Sequence, residues 1–273
     1  MKLFTYGDSW TEGTGVDVVK ENLIEDREER KKFRNDRSWP TKLSKLMNLE
    51  IQNQSISGIN NNFIFNEVIE NVKSNIIKSG DLIIIMWSSS LRDDVPFFPK
   101  NEWHTWGFNF MKDDYKRQWF VYKDLTKNPT YNDFLINFKE FFIRDLITQD
   151  YYNIVNQNYI LFIQKLCEHY QINYIFCDAF DKMVDNIRFE NDRTNHINKD
   201  CYWNFGTKTF KDFLISKGNK MVWELPQIDI FKTPGMHPSE IGYELIAEEL
   251  YRFINSNING IIRYSGDKKM KIL

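Results

Sequence analysis

Residues 81–86, Asp-Leu-Ile-Ile-Ile-Met, constrain the fold more than any other stretch of the chain. A run this short and continuously apolar has no polar side to turn to water. It suits a strand covered on both faces, as in a parallel sheet flanked by helices. Other short apolar runs suit neighbouring strands: Leu3 to Tyr6, Leu49 to Gln54 and Tyr174 to Cys177. Helical spacings lie between and after them. Ile64, Val68, Val72 and Ile76 recur every four residues, and Ile241, Leu245, Ile246 and Leu250 mark a later amphipathic helix. The segment from Phe134 to Tyr170 reads as two helices, one spaced by Leu135, Phe138, Phe142 and Leu146, the other by Ile160, Ile163, Leu166 and Tyr170. Alternating strands and helices predict an α/β protein, a three-layer α/β/α sandwich with a mainly parallel sheet. One domain spanning 1–273 is expected, elaborated by insertions at about 16–37, 95–131 and 181–217.

The three insertions differ in character. Lys20 to Arg37 interleaves acids and bases, the pattern of an exposed helix or loop with i,i+4 pairs rather than a basic patch. Ser38-Trp39-Pro40 then reads as a helix start, with serine as cap and proline in the first turn, and Leu43, Leu46 and Met47 as the buried face. Residues 95–131 hold Trp103, His104, Trp106, Phe108, Phe110, Tyr115, Trp119, Phe120 and Tyr122 with little strand or helix periodicity. Such a segment could be a substrate lid with aromatic platforms, a satellite hydrophobic cluster or a dimer contact. Residues 181–217 are polar and irregular, and Met221 to Trp223 suit a short strand.

A formal net charge of −2 provides no global field for nucleic acid or an anionic membrane. No run approaches the roughly 18 apolar residues of a membrane span. Three cysteines, Cys167, Cys177 and Cys201, form no regular framework, so reduced thiols and a cytoplasmic location are expected. No basic segment followed by a long apolar run opens the chain, so no signal peptide is expected. Phosphate-loop, dinucleotide-binding, nucleophile-elbow and zinc-protease motifs are absent, and Cys167 with His169 is not a metal pair by its local pattern. No cofactor and no metal are expected.

Three short stretches carry chemistry. The first is Gly7-Asp8-Ser9-Trp10, directly after the first strand. Its serine would project from the carboxyl end of the sheet, where open α/β sheets bind ligands. The second is Asn53-Gln54-Ser55-Ile56-Ser57-Gly58-Ile59-Asn60-Asn61, where a glycine lets the backbone approach a reacting carbonyl. The third is Gly235-Met236-His237-Pro238-Ser239, a histidine on a loop before a helix, placed to act as a general base. Together they resemble blocks I, II and V of the SGNH (GDSL) hydrolase superfamily. That resemblance implies an SGNH, flavodoxin-like sandwich. It implies Ser9 as nucleophile, His237 as base, and an oxyanion hole built on the N–H groups of Ser9 and Gly58.

The chain departs from the superfamily twice. After the third strand, block III is normally Gly-x-Asn-Asp; here Ser88, Ser90 and Leu91 occupy the glycine, asparagine and aspartate slots. Ser90 could donate its O–H to the oxyanion, Asn60 or Asn61 could reach in, or the hole could use backbone donors alone. The superfamily also places an aspartate three residues before the histidine, where this chain has Pro234. Asp229, Glu224 or Asp178 could orient the imidazole instead, or a backbone carbonyl could, leaving a Ser-His dyad. Arg92, just past the third strand, could hold an anionic group of a substrate or form a surface ion pair. The resemblance implies hydrolysis of an acyl ester on a small-molecule or glycan substrate, and the aromatic insertion favours acylated carbohydrate. Acyl transfer to a sugar hydroxyl and catalytically weak glycan binding are the alternatives.

Overall fold

The computed structural model describes residues 1–89, 92–97, 102–109, 118–120, 149–183, 192–217 and 237–264. Among the described residues, four parallel strands form the central sheet in the order β2-β1-β3-β7: β1 (Lys2–Tyr6), β2 (Glu50–Asn53), β3 (Leu82–Trp87) and β7 (Asn173–Asp178). β1 pairs with β2 and β3, with Leu3 opposite Ile51 on one side and Leu82 on the other. Every residue of β3 and of β7 is buried, as a strand covered on two faces requires. The chain moves outward from β1 to β2, then returns across β1 to β3 and onward to β7. The reversal puts a topological switch point between β1 and β3, the position at which such sheets open a crevice at their carboxyl ends.

Helices supply the cover. After β1 come α1 (Ser9–Glu12), α2 (Val18–Leu23), α3 (Arg27–Arg37) and α4 (Trp39–Met47). α5 (Asn61–Lys73) links β2 to β3 and buries Ile64, Val68 and Val72. α6 (Gln149–Tyr170) leads into β7 and packs beside α5. α7 (Phe210–Ser216), α8 (Glu240–Ser256) and α9 (Ile258–Ile261) follow. α8 buries Tyr243, Ile246, Ala247, Leu250 and Ile254 and packs on α4, where Lys42 bridges Glu244 at 2.8 Å and Glu240 at 3.7 Å.

Several local expectations are corrected. Ser38 does stand at the N-cap of α4 with Pro40 in the first turn, but its side chain makes no cap bond; its hydroxyl donates to the Asn35 carbonyl at 2.8 Å. Ser38 also ends α3, and Pro40 offers no N–H to cap. Leu46 faces solvent, and the inward positions are Trp39, Pro40, Leu43 and Ser44. On α6, Tyr170 is exposed and Cys167 takes the buried position. From Arg92 into 95–131, where little periodicity was expected, the described residues form a three-stranded antiparallel sheet from β4 (Arg92–Phe97), β5 (Glu102–Asn109) and β6 (Gln118–Phe120). Aromatic residues have high strand preference, but in β5 they fall on both alternate sets, Trp103 on one and Trp106 and Phe108 on the other, which hides the period of two. Within 181–217, α7 starts with a capping box. Thr209 Oγ1 accepts from Asp212 N, and the Asp212 carboxylate accepts from Thr209 N. Trp203 stacks on Phe210 with ring centroids 3.9 Å apart. The strand read at Met221 to Trp223 and the helix read from Leu135 to Leu146 lie outside the described residues.

Candidate active site

Gly7 ends β1 in a confined space: a Cβ there would stand 2.9 Å from the Met86 carbonyl and 2.1 Å from Thr11 Oγ1. Only glycine fits, and the chain turns at once into α1. Asp8 caps that helix. Its Oδ1 accepts from Trp10 N at 3.0 Å, and its carbonyl accepts from the N–H groups of Thr11 and Glu12. Ser9 is the first residue of α1, so its own N–H has no acceptor within the helix. The turn is also tied to β3 across the switch point. The Ser88 hydroxyl donates to Asp8 Oδ2 at 2.7 Å, with Asp8 and Ser88 both fully buried.

His237 arrives from the far end of the sequence, just before α8. Its Nε2 lies 2.8 Å from Ser9 Oγ, across a separation of 228 residues. Ser239 caps the following helix, accepting from Gly242 N at 3.3 Å, so the imidazole is carried on a loop whose far side is anchored. Gly58 has φ of +86°, a backbone conformation open to glycine and strained for most other residues. This conformation belongs to the turn between β2 and α5, the segment read as a backbone donor.

Asn60 and Asn61, both candidate oxyanion donors, have different surroundings. Asn60 caps α5: its Oδ1 accepts from Phe63 N at 2.8 Å, while its buried Nδ2 has no hydrogen-bond partner among the described residues. Asn61 is committed to the end of β3. Its Oδ1 accepts from Ser88 N at 2.8 Å, and its Nδ2 donates to the Ser88 and Ser89 carbonyls. Asp178 is likewise engaged elsewhere than at His237. Its Oδ1 accepts from Tyr202 Oη at 2.5 Å and its Oδ2 from Met183 N at 3.3 Å. Burial pushes its carboxyl up to about 7, with the two hydrogen bonds acting in the opposite direction.

Ser90, Leu91, Glu224, Asp229 and Pro234 lie outside the described residues, and Arg92 is placed as the first residue of β4. The supporting roles of Ser88 and Asn61 were not legible in sequence. Each depends on where β3 ends relative to α1 and α5, and a short polar residue after a strand gives no sign of its partner. Among the described residues no group of three or more His, Cys, Asp or Glu side chains could hold a metal. Cys167, Cys177 and Cys201 are buried free thiols. Among the described residues, no helix is long and apolar enough to cross a membrane.

Fold and geometry together define an α/β domain with a serine–histidine pair at the carboxyl edge of a parallel sheet. No protein-family profile and no curated protein matches the chain. Among solved structures it is similar to a protein assigned to the G-D-S-L lipolytic family from Desulfitobacterium hafniense DCB-2, at 14% identity and a TM-score of 0.44, covering 92% of this chain and 98% of the other. It is also similar to the psychrotrophic esterase EstA from Pseudoalteromonas sp., at 12% identity and 0.45, covering 94% and 98%. A third is TesA, at 12% identity and 0.45, covering 94% and 99%. Likeness at this level fixes neither activity nor substrate.

Proposed function

We propose that the protein is a serine esterase of the SGNH type that hydrolyses an acyl ester. The observation that carries this reading is the 2.8 Å contact between Ser9 Oγ and His237 Nε2 at the sheet's carboxyl edge. A serine hydroxyl is a weak nucleophile until a base within hydrogen-bond reach takes its proton. His237 serves if its proton sits on Nδ1, leaving the Nε2 lone pair for Ser9. Ser9 Oγ then bonds to the ester carbonyl carbon as its proton passes to Nε2. The developing oxyanion faces the N–H groups of Ser9 and Gly58, with Ser90 proposed as a third donor. Collapse expels the alcohol, which leaves with the proton from His237. Water attacks the acyl-serine, His237 takes its proton and returns it to Ser9, and the carboxylic acid departs. Asp229, on the segment before His237, is the acid proposed to hold Nδ1–H.

Acylated carbohydrate is the proposed substrate class. β4 begins a few residues past the end of β3, and the segment that follows carries Trp103, Trp106, Phe108 and Trp119. Aromatic residues at this density suit stacking against sugar rings. The first test is turnover of p-nitrophenyl acetate. Wild type should release p-nitrophenol, and Ser9→Ala and His237→Ala should each lose at least about 1,000-fold in kcat. Equal turnover by wild type and Ser9→Ala would reject Ser9 as the nucleophile. Release of acetate from acetylated xylan, set beside p-nitrophenyl acetate, tests the substrate class.

A further inference from the structure

The charged segment after α1 contains a buried arrangement that reaches both halves of the proposed site. Glu12 and Glu21 are 6% and 3% exposed, unusual for carboxylates. Arg34, on α3, lies between them. Its Nε donates to Glu21 Oε2 at 2.9 Å, and its Nη1 is 3.8 Å from Glu12 Oε2.

Each carboxylate holds a different piece of backbone. Glu12 Oε2 accepts from Ser57 N at 3.0 Å and from the Ser57 hydroxyl, and Ser57 precedes Gly58. Thr14 Oγ1 adds a 2.7 Å contact to Ser57 Oγ. Glu21 Oε1 accepts from Gly15 N at 2.7 Å. Gly15 is the seat of the histidine. At φ of +82° it lies so close that a Cβ on it would stand 2.6 Å from the His237 Cβ. From the opposite side, Tyr243 on α8 donates its hydroxyl to the Thr14 carbonyl at 2.8 Å.

We propose that Glu12, Arg34 and Glu21 form a clasp of positioning residues that fixes the Gly58 turn and the His237 seat at one separation about Ser9. The arginine joins the carboxylate beneath the oxyanion turn to the carboxylate beneath the base. None of the three touches the reacting atoms, so their effect is on geometry. Displacements of about 1 Å at a reacting centre can cost on the order of 100-fold in rate.

The inference rests on the Ser9–His237 reading, so the experiment separates the two. Wild type, Arg34→Met, Arg34→Lys, Glu12→Gln and Lys32→Ala are compared for p-nitrophenyl acetate kinetics and for labelling of Ser9 by a fluorophosphonate. Lys32→Ala removes the exposed Lys32–Asp36 pair on the same helix and leaves the clasp intact. Arg34→Met is expected to lower kcat by about 10- to 100-fold with KM changed less than about twofold, and to slow labelling in parallel. Arg34→Lys should recover part of that loss, since an ammonium can still reach one carboxylate. Glu12→Gln keeps an acceptor for Ser57 and should lose about three- to tenfold, and Arg34→Met combined with Glu12→Gln should be no worse than Arg34→Met alone. Lys32→Ala should match wild type. Arg34→Met and Glu12→Gln, each folded by circular dichroism, that keep kcat within twofold overturn the clasp, as does an equal loss in Lys32→Ala. If Arg34→Met does not fold, Glu12→Gln alone decides on the same criterion. Wild type that takes no fluorophosphonate on Ser9 removes the hydrolase reading and the clasp together.

Discussion

A single methyl group at Gly15 is the most local test of the site. The glycine has φ of +82° and sits against the β-carbon of His237. Alanine there is strained and also pushes the imidazole away from Ser9. Gly15→Ala is therefore expected to lower kcat by about 10- to 100-fold while KM for p-nitrophenyl acetate stays within about twofold. At this scale the Ser9–His237 pair, the proposed nucleophile and base, was legible because each residue sits in a short motif with its own chemical reason, a serine after a Gly-Asp turn and a histidine before a capped helix. Glu12, Glu21 and Arg34 were not. In a run where acids and bases alternate, many pairings are possible, and solvent is the default for each. Which two carboxylates are buried depends on how α3 docks against α1, a tertiary fact that no local spacing carries.

Individual elements repeat the contrast. β3 was plain because six consecutive buried residues leave no ambiguity about cover on both faces. α7 was missed because its seven residues lie among turns and short 3₁₀ segments, although Thr209 and Asp212 have capping-box spacing. The same cap makes a prediction. Thr209→Ala removes the acceptor for Asp212 N and the hydroxyl that donates to the Asp212 carboxylate. Chemical denaturation should show a loss of about 1 kcal/mol. The aromatic contacts of Phe210 and Phe213 with Trp203 remain, so α7 should stay docked. β4 to β6 were obscured for a different reason. Aromatic residues on both alternate sets give strands without a readable polar side.

For the molecule as a whole, Asp178 sets a pH dependence of stability. Its pKa of about 7 in the folded protein, against an ordinary carboxylate value of 3.8, results first from burial. Between those values the folded state holds the proton more tightly than the unfolded state, so stability falls as pH rises from about 4 to about 7 and then levels. A shift of this size corresponds to about 4 kcal/mol across the window. Melting temperature recorded from pH 5 to 8 should therefore decline to about pH 7 and level beyond it. Asp178→Asn, which can still accept from Tyr202, should flatten that decline. A wild-type profile that rises over the same window would contradict the assignment to Asp178.

The proposed nucleophile and its base stand 228 residues apart, with most of the sheet between them in sequence. On the proposed reading, Ser9 has no base until the segment carrying His237 has folded against it. Its activation would then require α8 docked beside α4, the arrangement that brings the imidazole to Ser9. Appearance of a serine-reactive species during refolding would thus report the docking of α8 rather than the pairing of the strands.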